Sequence, residues 1–341
     1  MVNSLKRLKI KISQILPVGL GLCQKKATIK VIAICLKGPL FNGLDGTWLF
    51  LVGEAKYHDC NYQVGQIMKI VSFNINGLRA RPHQIEELVN SQSPDIIGLQ
   101  EIKVHDEMFP HEIPQSVGYH AYYYGQKSHY GVAIFSKEEA VKVEYGFPND
   151  EDDAQRRMII ATYNTDKGPL KVINGYFPQG DNIEHETKFP AKAKFYADLM
   201  DYLANHVGDE MVIVMGDINI SPTDLDIGIG PQNAKRWLKT GKCSFQPIER
   251  EWYAKLEAWG LTDTYRHLNQ GKTDRYSWFD YRSKGFDDEP KRGLRIDVIM
   301  ATEGLMPLLQ DADVNYELRA MEKPSDHAPI WTDFDLKVSS K

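Results

Sequence analysis

The chain has 341 residues, 42% hydrophobic and 26% charged, with 26 Gly and 17 Pro, which excludes a disordered or collagen-like chain and allows one large domain or two small ones. Four cysteines cannot staple a chain of this length, so a reducing compartment is expected in place of a secreted disulfide scaffold. No uncharged apolar run reaches the ~18–20 residues that span a bilayer.

The net charge of −5 is unevenly spread. Residues 1–67 carry nine Lys or Arg against three acids, a balance of +6 that leaves −11 for the remainder. Three of the four cysteines also fall there, so two compositions meet near Met68. Residues 1–67 show neither a sustained helical period nor clean alternation, and they are treated as an N-terminal extension. Ile12 to Cys23 is apolar after a basic start, as in a targeting segment, but Pro17, Gly19 and Gly21 interrupt it. The preferred expectation is translation from Met68, where Lys69–Phe73 opens a strand at once; residues before Met68 in the intact mass of the native protein would overturn it.

From Met68 onward, apolar β-branched runs alternate with turn signals. Strands are predicted at Lys69–Ile75, Asp95–Gln100, Tyr119–Tyr124, Gly131–Ser136, Met158–Tyr163, Leu170–Tyr176, Met211–Met215, Ile296–Ala301 and Ile330–Phe334. Helices are predicted over Pro82–Asn90, Ala191–Asn205 and Glu249–Trp259, the last closed by Gly260. Arg236 to Lys242 reads as a solvated basic face. Strands and helices mixed over about 270 residues predict one α/β domain, residues 68–337, with large sheets that each pack helices on one side.

Polar residues collect where these strands end. Asn74 follows the first and Gln100-Glu101 the second, while Tyr176, Asp217 and Asn219 follow later ones. Leu294–Ile296 leads to Asp297, and Ser325-Asp326-His327 precedes the last strand. A sheet delivers strand ends to one edge, so these segments can build a single polar cleft. The set holds four carboxylates, three carboxamides, a phenol and a histidine, with no thiolate. Oxygen donors select hard cations, Mg²⁺ or Mn²⁺ over Zn²⁺, and such a cation would neutralise phosphate charge. A histidine or aspartate can take a proton from water, while Asn219 and Tyr176 can donate to non-bridging oxygens. The chemistry indicated is metal-assisted hydrolysis of a phosphate ester. Taken singly, Asn74 and Asn219 are equally well turn formers, Glu101 a solvated strand end and His327 a structural histidine. The joint placement after β-runs is what turns alone do not explain.

The segments SFNINGLRARP (72–82), DIIGLQEIKV (95–104), GYFPQG (175–180), GDINISPTDLD (216–226), SWFDYRSKGFDD (277–288), RGLRID (292–297) and EKPSDHAPIW (322–331) resemble the exonuclease III family of abasic-site endonucleases and 3′-exonucleases. The resemblance runs from Met68 to about Phe334, and residues 1–67 have no counterpart in it. It implies a four-layer α/β sandwich, two mixed sheets face to face with helices outside. It also implies roles. Asn74, Glu101, Asp217, Asn219, Asp326 and His327 fall in the metal site, with Glu101 the direct ligand. Asp217 matches the acid/base aspartate, Asn219 the phosphate-orienting asparagine, Asp297 and His327 a carboxylate–histidine pair. Tyr176 matches a phosphate-contacting phenol and Gln179 its polar neighbour. Two schemes stay open: His327 as phosphate binder with Asp217 activating water, or His327 as base with Asp217 or Tyr176 protonating the leaving oxygen.

A domain at −11 needs a local positive surface for duplex DNA. Arg79, Arg81, Lys103, Gln126, Lys127, Arg156 and Arg157 are candidates near the motifs. Arg275, Arg282 and Lys284 interleave with aromatics, among which the resemblance singles out Trp278 as the damage-pocket ring. The expectation is a Mg²⁺- or Mn²⁺-dependent, monomeric, cytoplasmic and nucleoid-associated DNA repair nuclease. It would act 5′ to abasic sites and at 3′ ends of duplex DNA. The rivals are a phosphodiesterase of the same superfamily acting on inositol phosphates or phospholipid head groups, and a non-catalytic nucleic-acid binder.

Overall fold

The computed structural model describes residues 28–35, 49–56, 67–208 and 210–339. The chain divides into two units, Met1–Val64 and Gly65–Lys341. In the first, β1 (Thr28–Cys35) and β2 (Leu49–Lys56) pair antiparallel, with Thr28 opposite Lys56 and Cys35 opposite Leu49. This pairing was not expected, because neither run alternates apolar with polar residues cleanly. The apolar run at Ile12–Cys23 lies outside the described residues.

The second unit opens with β3 (Ile67–Asn74), α1 (Pro82–Gln92), β4 (Ile96–Gln100), α2 (Glu112–Ser116), β5 (His120–Tyr124) and β6 (Val132–Ser136). Next come β7 (Lys142–Tyr145), β8 (Met158–Thr165), β9 (Gly168–Tyr176), α3 (Lys188–His206) and β10 (Met211–Asp217). They are followed by α4 (Pro231–Thr240), α5 (Pro247–Trp259), β11 (Leu261–Asp263), α6 (Thr264–Leu268) and β12 (Asp297–Thr302). The last elements are β13 (Leu309–Val314), α7 (Tyr316–Arg319) and β14 (Ile330–Asp335).

Two mixed six-stranded sheets result, ordered β13-β14-β3-β4-β6-β5 and β11-β12-β10-β9-β8-β7. Their inner faces share one core, in which Ile70, Ile96 and Ile134 of the first sheet meet Ile159, Val172, Ile213 and Met215 of the second. The outer face of the first sheet packs Val71, Phe73 and Leu99 against Ile85 and Leu88 of α1. The outer face of the second packs Ile160, Ile173 and Val214 against Phe195, Tyr196 and Leu199 of α3 and Leu256 of α5. Helix, sheet, sheet and helix therefore stack as the expected four-layer α/β sandwich. All nine expected strands and three helices form. The short strands β7, β11 and β13 were unread, because they carry acids or lysines instead of an apolar run.

The sheets approach closely at the end that carries the polar residues. A Cβ on Gly98 would lie 2.3 Å from the Met215 methyl and 2.8 Å from Asn174 Oδ1. Buried Asn174 reaches across, donating to the carbonyls of Leu99 (3.0 Å) and Ala133 (2.9 Å) and accepting from Gln100 Nε2 (2.6 Å). These bonds tie the sheets together just behind the strand ends and satisfy polar groups that would otherwise be orphaned in the core.

Candidate active site

Topology puts the polar strand ends side by side. β3 and β4 run parallel with Asn74 opposite Gln100, so Asn74 and Glu101 leave the same edge. β9 and β10 run parallel with Tyr176 opposite Asp217, and antiparallel β12 starts at that edge with Asp297 opposite Asp217. The turn before β14 returns to the end of β3, where Ile330 pairs with Ser72, and delivers Asp326 and His327. Sharp reversals at the edge hold Asn76 (φ 48°), Glu101 (φ 52°) and Asn219 (φ 54°) in the left-handed region. Asn tolerates that conformation; Glu pays for it, and such strain is commonly kept where a side chain must be aimed.

One hydrogen-bond network joins the two sheets. Asn74 Nδ2 donates to Glu101 Oε1 (3.0 Å) and to Asp217 Oδ2 (2.9 Å), while its Oδ1 accepts from the Asn76 amide (3.1 Å). Asn76 Nδ2 donates to Asp326 Oδ1 (2.8 Å), and the Trp278 indole donates to Asp326 Oδ2 (3.1 Å). Lys103 Nζ lies 2.7 Å from Glu101 Oε2 and 2.5 Å from Asn76 Oδ1. His327 Nδ1 is 2.9 Å from Asp297 Oδ2, and its Nε2 is 3.7 Å from Asp217 Oδ2. The Asn219 amide donates to Asp217 Oδ1 (3.1 Å), and Asn219 Nδ2 donates to the Phe177 carbonyl (3.0 Å).

Crowding of carboxylates in a dry space sets the electrostatics. Burial, with Asp297 and Glu101 nearby, pushes Asp217 up to about 8 even though His327 pulls the other way. Burial opposes a charge on His327, but Asp297 and Asp217 overcome it and raise the imidazole to about 10. For Glu101 burial is likewise outweighed, by Lys103 and the Asn74 amide, and its pKa is lowered. Burial, with Glu101 and Asp217 close by, holds the Tyr176 phenol well above its usual range, so it keeps its proton.

The donor set suits a hard divalent cation. Glu101, Asp217, Asp297 and Asp326 are four carboxylates against the cations Lys103 and His327, and buried Asp297 Oδ1 has no hydrogen-bond partner among the described residues. Ligand atoms of Asp217, Asp297 and His327 lie within 4.8 Å of one another. His327 Nδ1 is committed to Asp297 and the imidazole keeps its proton to about pH 10, which suits His327 to phosphate or proton chemistry, while the carboxylates of Glu101, Asp217, Asp297 and Asp326 offer oxygen donors to a cation.

The basic residues fall into two groups. Arg79 and Lys127 are exposed, and with Lys103, His105 and Met108 they line a groove of about 530 Å³. Three others are committed inward. Arg81 donates to the carbonyls of Ile75 and Asn76 and to the Tyr281 hydroxyl. Arg156 is paired with Asp106 and donates to the Gly125 carbonyl (2.7 Å). Arg157 is buried over the rings of Tyr130 (4.1 Å) and Tyr176 (4.7 Å), and it donates to the Tyr176 carbonyl (3.0 Å). Gln126 Oε1 accepts from the Arg156 amide (3.0 Å), and Gln179 Oε1 accepts from the Asp181 amide (2.6 Å). Trp278 is half-buried and bridges to His327 and Leu294 through its backbone, which brings its ring to the cluster.

Ser277 and Asn76 of the site went unread in the sequence, and Ser325 was noted only as part of the Ser325-Asp326-His327 run. Ser277 Oγ accepts from the amides of Ile296 and Asp297 (both 3.0 Å), and Ser325 Oγ donates to the Asn74 carbonyl (2.7 Å) and accepts from the His327 amide (3.2 Å). Serines carry no positional signal at this level. Asn76 did carry one, since it shares the Asn74 turn and stands just before Gly77.

Comparison with known proteins agrees with this geometry. Residues 71–327 match the Endonuclease/Exonuclease/phosphatase family. The chain is 59% identical over 268 residues to exodeoxyribonuclease III of Haemophilus influenzae, an alignment that covers 78% of this chain and all of that protein. Among solved structures, the 3′ phosphatase NExo from Neisseria bound to a product DNA hairpin superposes with a TM-score of 0.72 at 36% identity, over 78% of this chain and 99% of that one. An AP endonuclease from Archaeoglobus fulgidus gives 0.71 at 33%, over 79% and 99%. The chain belongs to the endonuclease/exonuclease/phosphatase family, in its exodeoxyribonuclease III group, and is a nuclease that hydrolyses phosphodiester bonds.

Proposed function

We propose that residues 68–337 form a Mg²⁺- or Mn²⁺-dependent DNA repair nuclease that cleaves 5′ to abasic sites and removes nucleotides or blocking groups from 3′ ends of duplex DNA. One observation carries this reading: Asn74 braces Glu101 of one sheet edge and Asp217 of the other through a single amide, at 3.0 and 2.9 Å. A phosphodiesterase needs its cation site and its proton-transfer group held at such a fixed separation. Glu101 and Asp326 would hold the cation, with Asn74 and Asn76 bracing them. When bound, that ion would neutralise phosphate charge and polarise the phosphoryl centre.

The protein's own groups divide the remaining work. His327, kept cationic by Asp297, would bind the scissile phosphate, and Asp217 would take the proton of the attacking water. A histidine that keeps its proton to about pH 10 is a poor base at neutral pH, which favours this scheme over the one with His327 as base. Asp217, raised to about 8, has the matched affinity for a proton that a general base needs. Asn219 and the protonated Tyr176 would donate to non-bridging oxygens as charge develops. Arg79 and Lys127 would meet backbone phosphates, and Trp278 would fill the gap left by a missing base. The names of the relatives and the product DNA hairpin held by the Neisseria neighbour support a DNA substrate. We further propose a monomer working in the cytoplasm on the nucleoid. No helix among the described residues is long and apolar enough to cross a membrane.

The decisive assay incubates an abasic-site duplex with the protein and Mg²⁺, with and without chelator, beside soluble inositol phosphates. Chelator-sensitive incision 5′ to the abasic site, with the inositol phosphates untouched, is expected. Release of phosphate from the inositol substrates with the duplex intact would reverse the assignment.

A further inference from the structure

The side chains of Lys192 on α3 and Glu249 on α5 are both 0% exposed and form an ion pair at 2.5 Å. A buried pair of this kind gains little over a well-packed apolar pair, so folding stability does not account for it. What distinguishes it is where the remaining donors of the ammonium go. Lys192 Nζ donates to the Asn219 carbonyl (2.9 Å) and to the Gln179 carbonyl (3.3 Å). These two carbonyls belong to the turns that follow β10 and β9, the turns that carry Asp217 with Asn219 and Tyr176 with Gln179.

The grip extends on both sides. Glu249 Oε2 accepts from the amides of Ser244 and Gln246 (both 2.8 Å), which anchors it to the start of α5. Tyr196, one turn further along α3, donates to the Ile218 carbonyl (2.8 Å). A Cβ on Gly180 (φ 88°) would lie 3.0 Å from the Lys192 stem, so the 176–181 turn rests directly on this side chain. Asn219 is left-handed (φ 54°), with its amide on Asp217 Oδ1 and its side chain on the Phe177 carbonyl, and the carbonyl that Lys192 holds fixes the exit of this same turn.

We propose that Lys192, clamped by Glu249, is a positioning residue for the reaction. By fixing the Asn219 and Gln179 carbonyls from behind, it holds the left-handed turn that aims the Asn219 side chain at the phosphate. This rests on the reading of Asp217 and Asn219 given above.

The test pairs Lys192→Met with Glu249→Gln, so that neither variant chain buries a lone charge, and combines that pair with Asn219→Ala. Abasic-duplex kcat and KM are measured in saturating Mg²⁺, with thermal unfolding followed on the same samples. The paired variant is expected to lose roughly 10- to 100-fold in kcat with KM within about threefold, as for a reacting group displaced by a fraction of an ångström. In the Asn219→Ala background the pair should cost no more than about twofold, because the group it positions is gone. Full kcat in the folded pair variant, or losses that multiply with that of Asn219→Ala, would overturn the proposal. Unchanged kcat in Asn219→Ala alone would instead sink the assignment of Asn219.

Discussion

His327 and Asp297 form a buried pair at 2.9 Å, contributed by the turn before β14 and the first residue of β12. Burial alone would keep this imidazole neutral, so its charge depends on the carboxylate. The sign is that of a raised base: its contribution to stability is complete below the ordinary histidine pKa near 6.5 and is lost as pH rises through about 10. In the chelated protein the His327 ring resonance is expected to stay in its cationic position through pH 8. In Asp297→Asn it should titrate at distinctly lower pH, with kcat reduced about 100-fold or more. NMR titration that finds the parent His327 neutral at pH 7 would refute the cationic phosphate-binding role.

Asp217→Asn keeps the shape of the side chain and removes its capacity to accept a proton. Turnover on an abasic duplex should fall roughly 1000-fold. Binding, followed by fluorescence anisotropy, should stay within about threefold, because the substitution keeps the side chain's size and leaves the basic residues that meet the phosphates in place. Retained turnover would take Asp217 out of the chemistry.

Glu101 faces Lys103 on one side and Asn74 on the other, and as a proposed oxygen donor it is the most sensitive probe of the cation. Glu101→Gln should raise the half-saturating Mg²⁺ concentration on the order of ten- to a hundredfold while the maximal rate is partly recovered at high Mg²⁺. A metal titration of the rate checks this, and an unshifted midpoint would move the cation elsewhere.

Trp278 couples the aromatic strip to the acid cluster through its indole N–H on Asp326. Trp278→Ala should cost about 1–2 kcal/mol of abasic-duplex binding, roughly 5- to 30-fold in KM. Trp278→Phe restores a ring without the N–H, so it should recover KM more than it recovers kcat. Equal KM values across the three proteins would exclude the ring from the DNA interface.

Asp226 supports the site from below. It accepts from Arg295 Nε (2.7 Å) and Arg266, and Arg295 also reaches Asp263 at 2.7 Å. Although burial opposes it, Arg295 and Arg266 lower Asp226 to about 2. A depressed acid stabilises above its unfolded pKa and loses that contribution as pH falls through the folded value. Urea unfolding should therefore show a parent-minus-Asp226→Asn gap that is constant at pH 5–7. The gap should shrink by about 2 kcal/mol between pH 4 and pH 2. A pH-independent gap would mean the carboxylate is not ionised by its arginines.

Much of this protein could be read from its residues alone. Runs such as Ile96–Leu99 and Val212–Met215 are apolar on both faces and bounded by turn residues, which suffices for buried strands, and the polar residue after each run marks the strand end. That pattern delivered the site members Asn74, Glu101 and Asp217, while Asp297 and His327 stood out as polar residues at or just ahead of the start of later strands. Only the tertiary structure decided which of the charged side chains were free to act. Arg79 and Arg81 are two residues apart, yet the first is exposed and the second is spent on the Ile75 and Asn76 carbonyls. Arg156 and Arg157 are adjacent, yet one pairs with Asp106 and the other is buried under Tyr130. Lys192 would pass for a solvated helix lysine until α5 brings Glu249 against it. Periodicity reports the local preference of a chain for water or core. A charge's partner is set by segments distant in sequence, through distances of a few ångströms that no spacing rule encodes.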